Sequence, residues 1–154
     1  MSCDVALSAA ILLASFSPAD TPARQVVPAV ATKAANPLAA EPLFADIIGR
    51  AKSLNASVES FRKAKGPLPK LEAFKADVEA LAALDMKGHL ELAARGTDGD
   101  LKCILKGISQ DLPLKLADVM AAVDAPARET ALRDMAYLLN DNVEVITAPP
   151  APPV

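Results

Sequence analysis

The sequence predicts an all-α fold, an up-down-up-down four-helix bundle flanked by disordered Pro/Ala-rich segments. Four segments carry apolar side chains at spacings of three and four, which is the periodicity of one face of an α-helix. Hydrophobic residues make up 52% of the chain, and many of them are alanine, the strongest helix former. Only a few residues connect one segment to the next, so consecutive helices should pack antiparallel.

The distribution of proline divides the chain into four parts. Five of the 13 prolines lie between residues 18 and 42, and four more lie between residues 149 and 153. Pro/Ala-rich segments of this kind stay extended or unfolded, because they bury too little apolar surface. We therefore expect a signal peptide at 1–23, a flexible leader at 24–41, the bundle at 42–147 and a Pro-rich tail at 148–154.

The apolar stretch VALSAAILLASF, residues 5–16, predicts the compartment in which the protein works. Its twelve residues fall well below the roughly 20 that span a membrane, but they suit the apolar centre of a secretory signal. Small residues and prolines follow the stretch, although Asp4 precedes it where a signal usually carries a base. We expect a periplasmic or secreted protein that does not span a membrane. The alternative is a cytoplasmic interaction or inhibitor protein that retains its N-terminus.

The first helix is expected to begin at Pro42, because proline suits a first helical turn. Lys63, Lys65 and Gly66 predict its end, since cations and then glycine are favoured there. The apolar stripe between these ends consists of Ile47, Ala51, Leu54, Val58 and Phe61.

The second helix carries an interrupted stripe. The positions that follow its first four apolar residues are Asp85 and Gly88, before Leu92 resumes the pattern. We expect one continuous helix to about Ala94, with a weak point in the middle. The apolar residues before the interruption are Leu71, Phe74, Val78 and Leu81.

The third helix contains a proline. Pro113 removes a backbone donor and clashes with the carbonyl of Ser109, which predicts a kink or a break. A bend there would open a gap in which Ser109 and Gln110, beside Pro113, line a small ligand pocket. The predicted stripe consists of Leu101, Leu105, Ile108, Leu112, Val119 and Val123.

The fourth helix has a clear start. Asp124 is placed to cap it, with Pro126 in its first turn. Pro149 and Pro150 predict the end of the fold. The stripe consists of Leu132, Ala136, Leu139, Val143 and Ile146.

The charge argues against nucleic acid as a partner. The net charge is −3, and it becomes −1 if residues 1–23 are removed, since they carry Asp4 and Asp20 but no base. Binding to phosphate requires a clustered basic surface instead.

The residues for enzymatic chemistry are scarce. His89 is the one histidine, and the sequence contains no glycine-rich phosphate loop and no CxxC or HExxH spacing. Asp85 precedes His89 by four residues, a spacing that lets a carboxylate orient an imidazole or form a weak surface ion pair. We therefore expect a non-enzymatic bundle without a catalytic residue, cofactor or metal, which binds a protein partner or a small ligand.

The segment MAYLLNDNVEVI resembles the Met-bearing helix of the small periplasmic b-type cytochromes. Those proteins hold haem inside four-helix bundles through one Met and one His. The resemblance covers about a dozen residues and falls on the last helix instead of the first. It implies an alternative function, a haem- or metal-carrying bundle that uses Met135 and His89.

Overall fold

The computed structural model describes residues 36–64, 68–96 and 99–148. A short 3-10 helix, Pro37–Ala40, precedes α1 (Pro42–Lys63), α2 (Leu71–Arg95), α3 (Gly99–Ala121) and α4 (Ala125–Thr147). No strand occurs within these ranges. The predicted signal peptide, most of the leader and the tail beyond residue 148 lie outside the described residues.

The helices form the predicted up-down-up-down bundle. Each helix packs against its neighbour in sequence, and α4 closes the bundle by packing against α1. The pairs α1–α3 and α2–α4 therefore lie across the diagonals, and the two members of each pair run parallel. None of the described helices combines the length and apolarity that crossing a membrane requires.

The predicted stripes form the core. All five stripe residues of α1 are buried. Leu54, Leu81, Ile108 and Leu139, one from each helix, are at most 3% exposed. The periodicity therefore identified the inward face of every helix.

The predicted stripe of α3 is wrong at its end. Val123 is 95% exposed, because α3 ends at Ala121 and the chain turns there toward α4. Leu116, which lies between Leu112 and Val119 and was not part of the predicted stripe, is buried.

Local residues set the start of α4 as predicted, whereas Lys65 and Gly66, predicted to end α1, lie outside the described residues. The carboxylate of Asp124 accepts a 2.8 Å hydrogen bond from the backbone N–H of Ala127 and caps α4. Gly96 ends α2 with φ of 68°, a left-handed conformation that glycine adopts without steric cost. The helix is continuous through Asp85 and Gly88, as expected.

Pro113 does not divide the third helix. α3 continues through it from Gly99 to Ala121, so of the two predicted alternatives, a kink or a break, the break does not occur. Pro113 lies on the exposed side of the helix, while Leu112 and Leu116 beside it are buried.

Asn36 joins the two ends of the described chain. Its side-chain Nδ2 donates to the carbonyl of Ile146 at 2.9 Å, and its backbone N–H donates to the carbonyl of Thr147. Its Oδ1 also accepts from the N–H of Leu38 at 3.1 Å, and Leu38 packs into the core. The end of the segment predicted as a flexible leader is thus held against the bundle, because Asn36 donates to two carbonyls of the last helical turn, which lack partners within the helix itself.

Candidate functional site

Two polar side chains meet at the centre of the bundle. Asp85 on α2 and Asn142 on α4 are each 0% exposed. Nδ2 of Asn142 donates a 2.8 Å hydrogen bond to Oδ2 of Asp85. This hydrogen bond crosses the α2–α4 diagonal, so it links two helices that are not packing neighbours.

The helical register explains why these polar residues point inward. Asp85 lies on the α2 stripe, four residues after Leu81 and three before Gly88. Asn142 follows Leu139 by three residues and precedes Ile146 by four, so it faces the core as they do. Val143, predicted for the α4 stripe, is only partly buried.

Gly88 keeps the core tight beside this pair. A methyl group at its Cα would lie 3.2 Å from a methyl carbon of Leu105 and 3.3 Å from the ring of Phe44. Those contacts are closer than ordinary packing, so α2 approaches α1 and α3 closely at this level. Glycine fits here without displacing its neighbours, which accounts for the second interruption of the stripe.

Burial changes the protonation of Asp85. Removal from water raises the pKa of its carboxyl group to about 8, and the hydrogen bond from Asn142 opposes that rise. Oδ1 of Asp85 and Oδ1 of Asn142 are also buried without a hydrogen-bond partner. Such buried acceptors are costly, so the pair is an unusual feature in an apolar interior.

His89 does not use Asp85 as its partner. Its Nδ1 lies 2.7 Å from the backbone carbonyl of Lys102 on α3. A carbonyl oxygen only accepts, so Nδ1 carries the proton and donates it. The half-buried ring therefore links α2 to α3, and the carboxylate that the sequence placed beside it is bonded to Asn142 instead.

The structure does not bring His89 and Met135 together. Because α2 and α4 are parallel and Asp85 lies opposite Asn142, His89 is four residues beyond this level and Met135 is seven residues before it. Eleven residues of helix correspond to roughly 16 Å along the bundle. Met135 itself is fully buried in the core. Within the described ranges, no three His, Cys, Asp or Glu side chains are grouped to hold a metal ion.

The residues predicted to line a ligand pocket do not face a common space. The hydroxyl of Ser109 is buried and donates at 2.8 Å to the carbonyl of Lys106 in its own helix. Gln110 and Pro113 are exposed on the outer side of α3.

A shallow groove lies elsewhere, where the end of α3 meets the start of α4. It has a volume of about 480 Å³ and is open to solvent. Small side chains make up most of its lining, which also includes two carboxylates. Lys115 lies 3.8 Å from the Asp118 carboxylate and 4.0 Å from that of Asp134. The lining residues of this α3–α4 groove are Asp118, Ala121, Ala122, Pro126, Ala127, Thr130, Ala131 and Asp134.

Sequence reasoning missed Asn142 and the groove for different reasons. Asn142 lies three residues after Leu139 and four before Ile146, so this spacing already indicated that its side chain faces the core. The groove arises only when two helices pack, and alanines on an outer face give no signal in a single chain.

Comparison of this chain with known protein families, with curated proteins and with solved structures found no match.

Proposed function

We propose that this protein is an exported, non-enzymatic helical bundle that binds a protein partner in the α3–α4 groove. The observation that carries the proposal is that the interior of the bundle is closed to solvent, whereas the groove is open to it. The largest core side chains are fully buried, and the polar groups at the centre are closed off from solvent. The groove is open and is lined mostly by small side chains.

Its chemistry suits a segment of protein better than a small molecule. Drug-sized molecules are held in concave pockets that bury most of their surface, and this groove is too open for that. Alanine and threonine side chains let a partner backbone approach closely. The side chains of Asp118 and Asp134 are 62% and 42% exposed, so a cation on the partner can reach them, in competition with Lys115.

Site-specific photo-crosslinking in the native host tests the binding site. A photoreactive residue at Ala127, within the groove, should form one covalent adduct of defined mass. The same residue at Ala83, exposed on α2, is the matched control and should not form it. Ala121→Arg, which fills the groove at the end of α3 and suits the helix dipole there, should abolish the adduct without lowering the melting temperature. Equal adducts at Ala83 and Ala127 would refute the groove.

The mass of the mature chain tests export separately. Small residues cluster after the apolar stretch, so we expect the mature chain to begin between about Ser17 and Ala31. Protein from the native host that retains Cys3 would contradict export, whether or not the groove binds a partner.

A further inference from the structure

We propose that Asp85 and Asn142 form a neutral carboxylic acid–amide pair, whose proton makes the link between α2 and α4 sensitive to pH. With an ionised Asp85, the pair has one hydrogen bond and leaves one buried oxygen on each partner unpaired. With a protonated Asp85, the acid O–H donates to Oδ1 of Asn142. The N–H of Asn142 still donates to the Asp85 carboxyl group, so one proton satisfies both orphaned atoms.

The surroundings favour the neutral form. The two influences on the carboxyl group are burial, which raises its pKa to about 8, and the hydrogen bond from Asn142. The core residues that precede and follow the pair by one turn on α2 and α4, including Leu81 and Ile146, are apolar. Among the described residues, no buried cation at this level compensates a negative charge, which is costly in an apolar interior.

The charged groups of the adjoining elements reach solvent instead. Arg50 on α1 is exposed and paired with Asp46 at 3.0 Å, and Lys106 on α3 is exposed. Asp141 on α4 is partly exposed. On α2 itself, the ring of His89 is bonded to a backbone carbonyl of α3.

The direction of the pH effect follows from the two states of the chain. The pKa of an unfolded aspartate is about 3.9. Below that pH both states hold the proton, and above about 8 neither does. Between these limits only the folded state holds it, so the proton's stabilising effect declines as the pH rises. The unfolding equilibrium constant should increase about tenfold per pH unit across this window.

Carbon NMR of the full chain tests the protonation directly. The side-chain carboxyl carbon of Asp85 should titrate with a midpoint near pH 8. A midpoint below pH 5 would overturn the proposal. This measurement uses the unaltered protein, so it stands even if a variant fails to fold.

Denaturation at several pH values tests the link to stability. Between pH 5 and pH 7 the unfolding constant should rise about 100-fold more in the wild type than in Asp85→Asn, whose side chain cannot ionise. Asp77→Asn removes an exposed carboxylate from the same helix and should keep the wild-type dependence. The same pH dependence in Asp85→Asn and the wild type would refute the role assigned to Asp85.

Discussion

The side chains of Asp85 and Asn142 join two helices that lie diagonally across the bundle, through a 2.8 Å hydrogen bond at its centre. A slip of either helix by one turn would separate the two groups and place each against apolar residues. The pair therefore specifies the relative height of α2 and α4, as single buried polar residues do in coiled coils.

Replacement of one partner should cost more than replacement of both. A leucine side chain branches at the same carbon as aspartate and asparagine but carries no polar side-chain atoms. Asp85→Leu leaves the buried Asn142 amide unpaired and should lower the free energy of unfolding by about 1–3 kcal/mol. Asp85→Leu/Asn142→Leu should recover most of that loss in urea titrations. A double variant less stable than either single variant would contradict this account of the pair.

Asn36→Ala should destabilise the bundle, although residue 36 precedes the first long helix. The change removes the side-chain hydrogen bonds to Ile146 and Leu38 and should cost about 1–2 kcal/mol. Gln110→Ala, which truncates an amide side chain on the exposed side of α3, is the control and should change stability by less than about 0.5 kcal/mol. Hydrogen exchange should become faster in the last turn of α4. Unchanged exchange there would count against a capping role for Asn36.

Two glycines should respond differently to alanine. Apart from its chain neighbours and the backbone of its own helix, no described atom lies within 4 Å of a methyl group at Gly49, so Gly49→Ala should raise the free energy of unfolding by about 0.5–1 kcal/mol. At Gly88 the same methyl group meets Leu105 at 3.2 Å and Phe44 at 3.3 Å. Gly88→Ala should therefore be less stable than Gly49→Ala, by about 1 kcal/mol or more in thermal unfolding. Equal stabilisation by both changes would show that the core side chains around Gly88 shift at little cost to accommodate a methyl group.

Pro113→Ala should stabilise α3, because it restores a backbone N–H where the helix is continuous. The expected gain is about 1–3 kcal/mol, measured as a shift of the denaturation midpoint. Ala117→Pro, at an exposed position one turn later, is the reverse control and should cost about 3 kcal/mol. A destabilised Pro113→Ala variant would mean that the proline ring contributes packing that the exposed position does not indicate.

The sequence predicts the helices well because their signals are local. Pro42 and Asp124 set helix starts through their own backbone geometry and hydrogen bonding, and both predictions are confirmed. The inward faces follow from spacing alone, which is why Leu54 and Leu139 are buried as expected.

The central pair was not predicted, because periodicity carries no information about partners. Asp85 was recognised as an interruption of the α2 stripe, but its hydrogen-bond partner lies 57 residues further along the chain. A polar residue on an apolar stripe either lies at an exposed position that weakens helix packing or is buried with a hydrogen-bond partner. Which of these occurs depends on whether another helix packs a second polar residue against the first.

Asn36 has a practical consequence for attaching the protein to a surface. It places the start of the described chain beside Thr147, at one end of the bundle. The α3–α4 groove begins near Ala121 and Pro126, at the opposite end of those helices. Immobilisation at that end of the described chain therefore leaves the groove facing the solution. Coupling to a sensor chip at Pro37 or at Ala148, both of which are exposed there, should give the same affinity for a groove ligand.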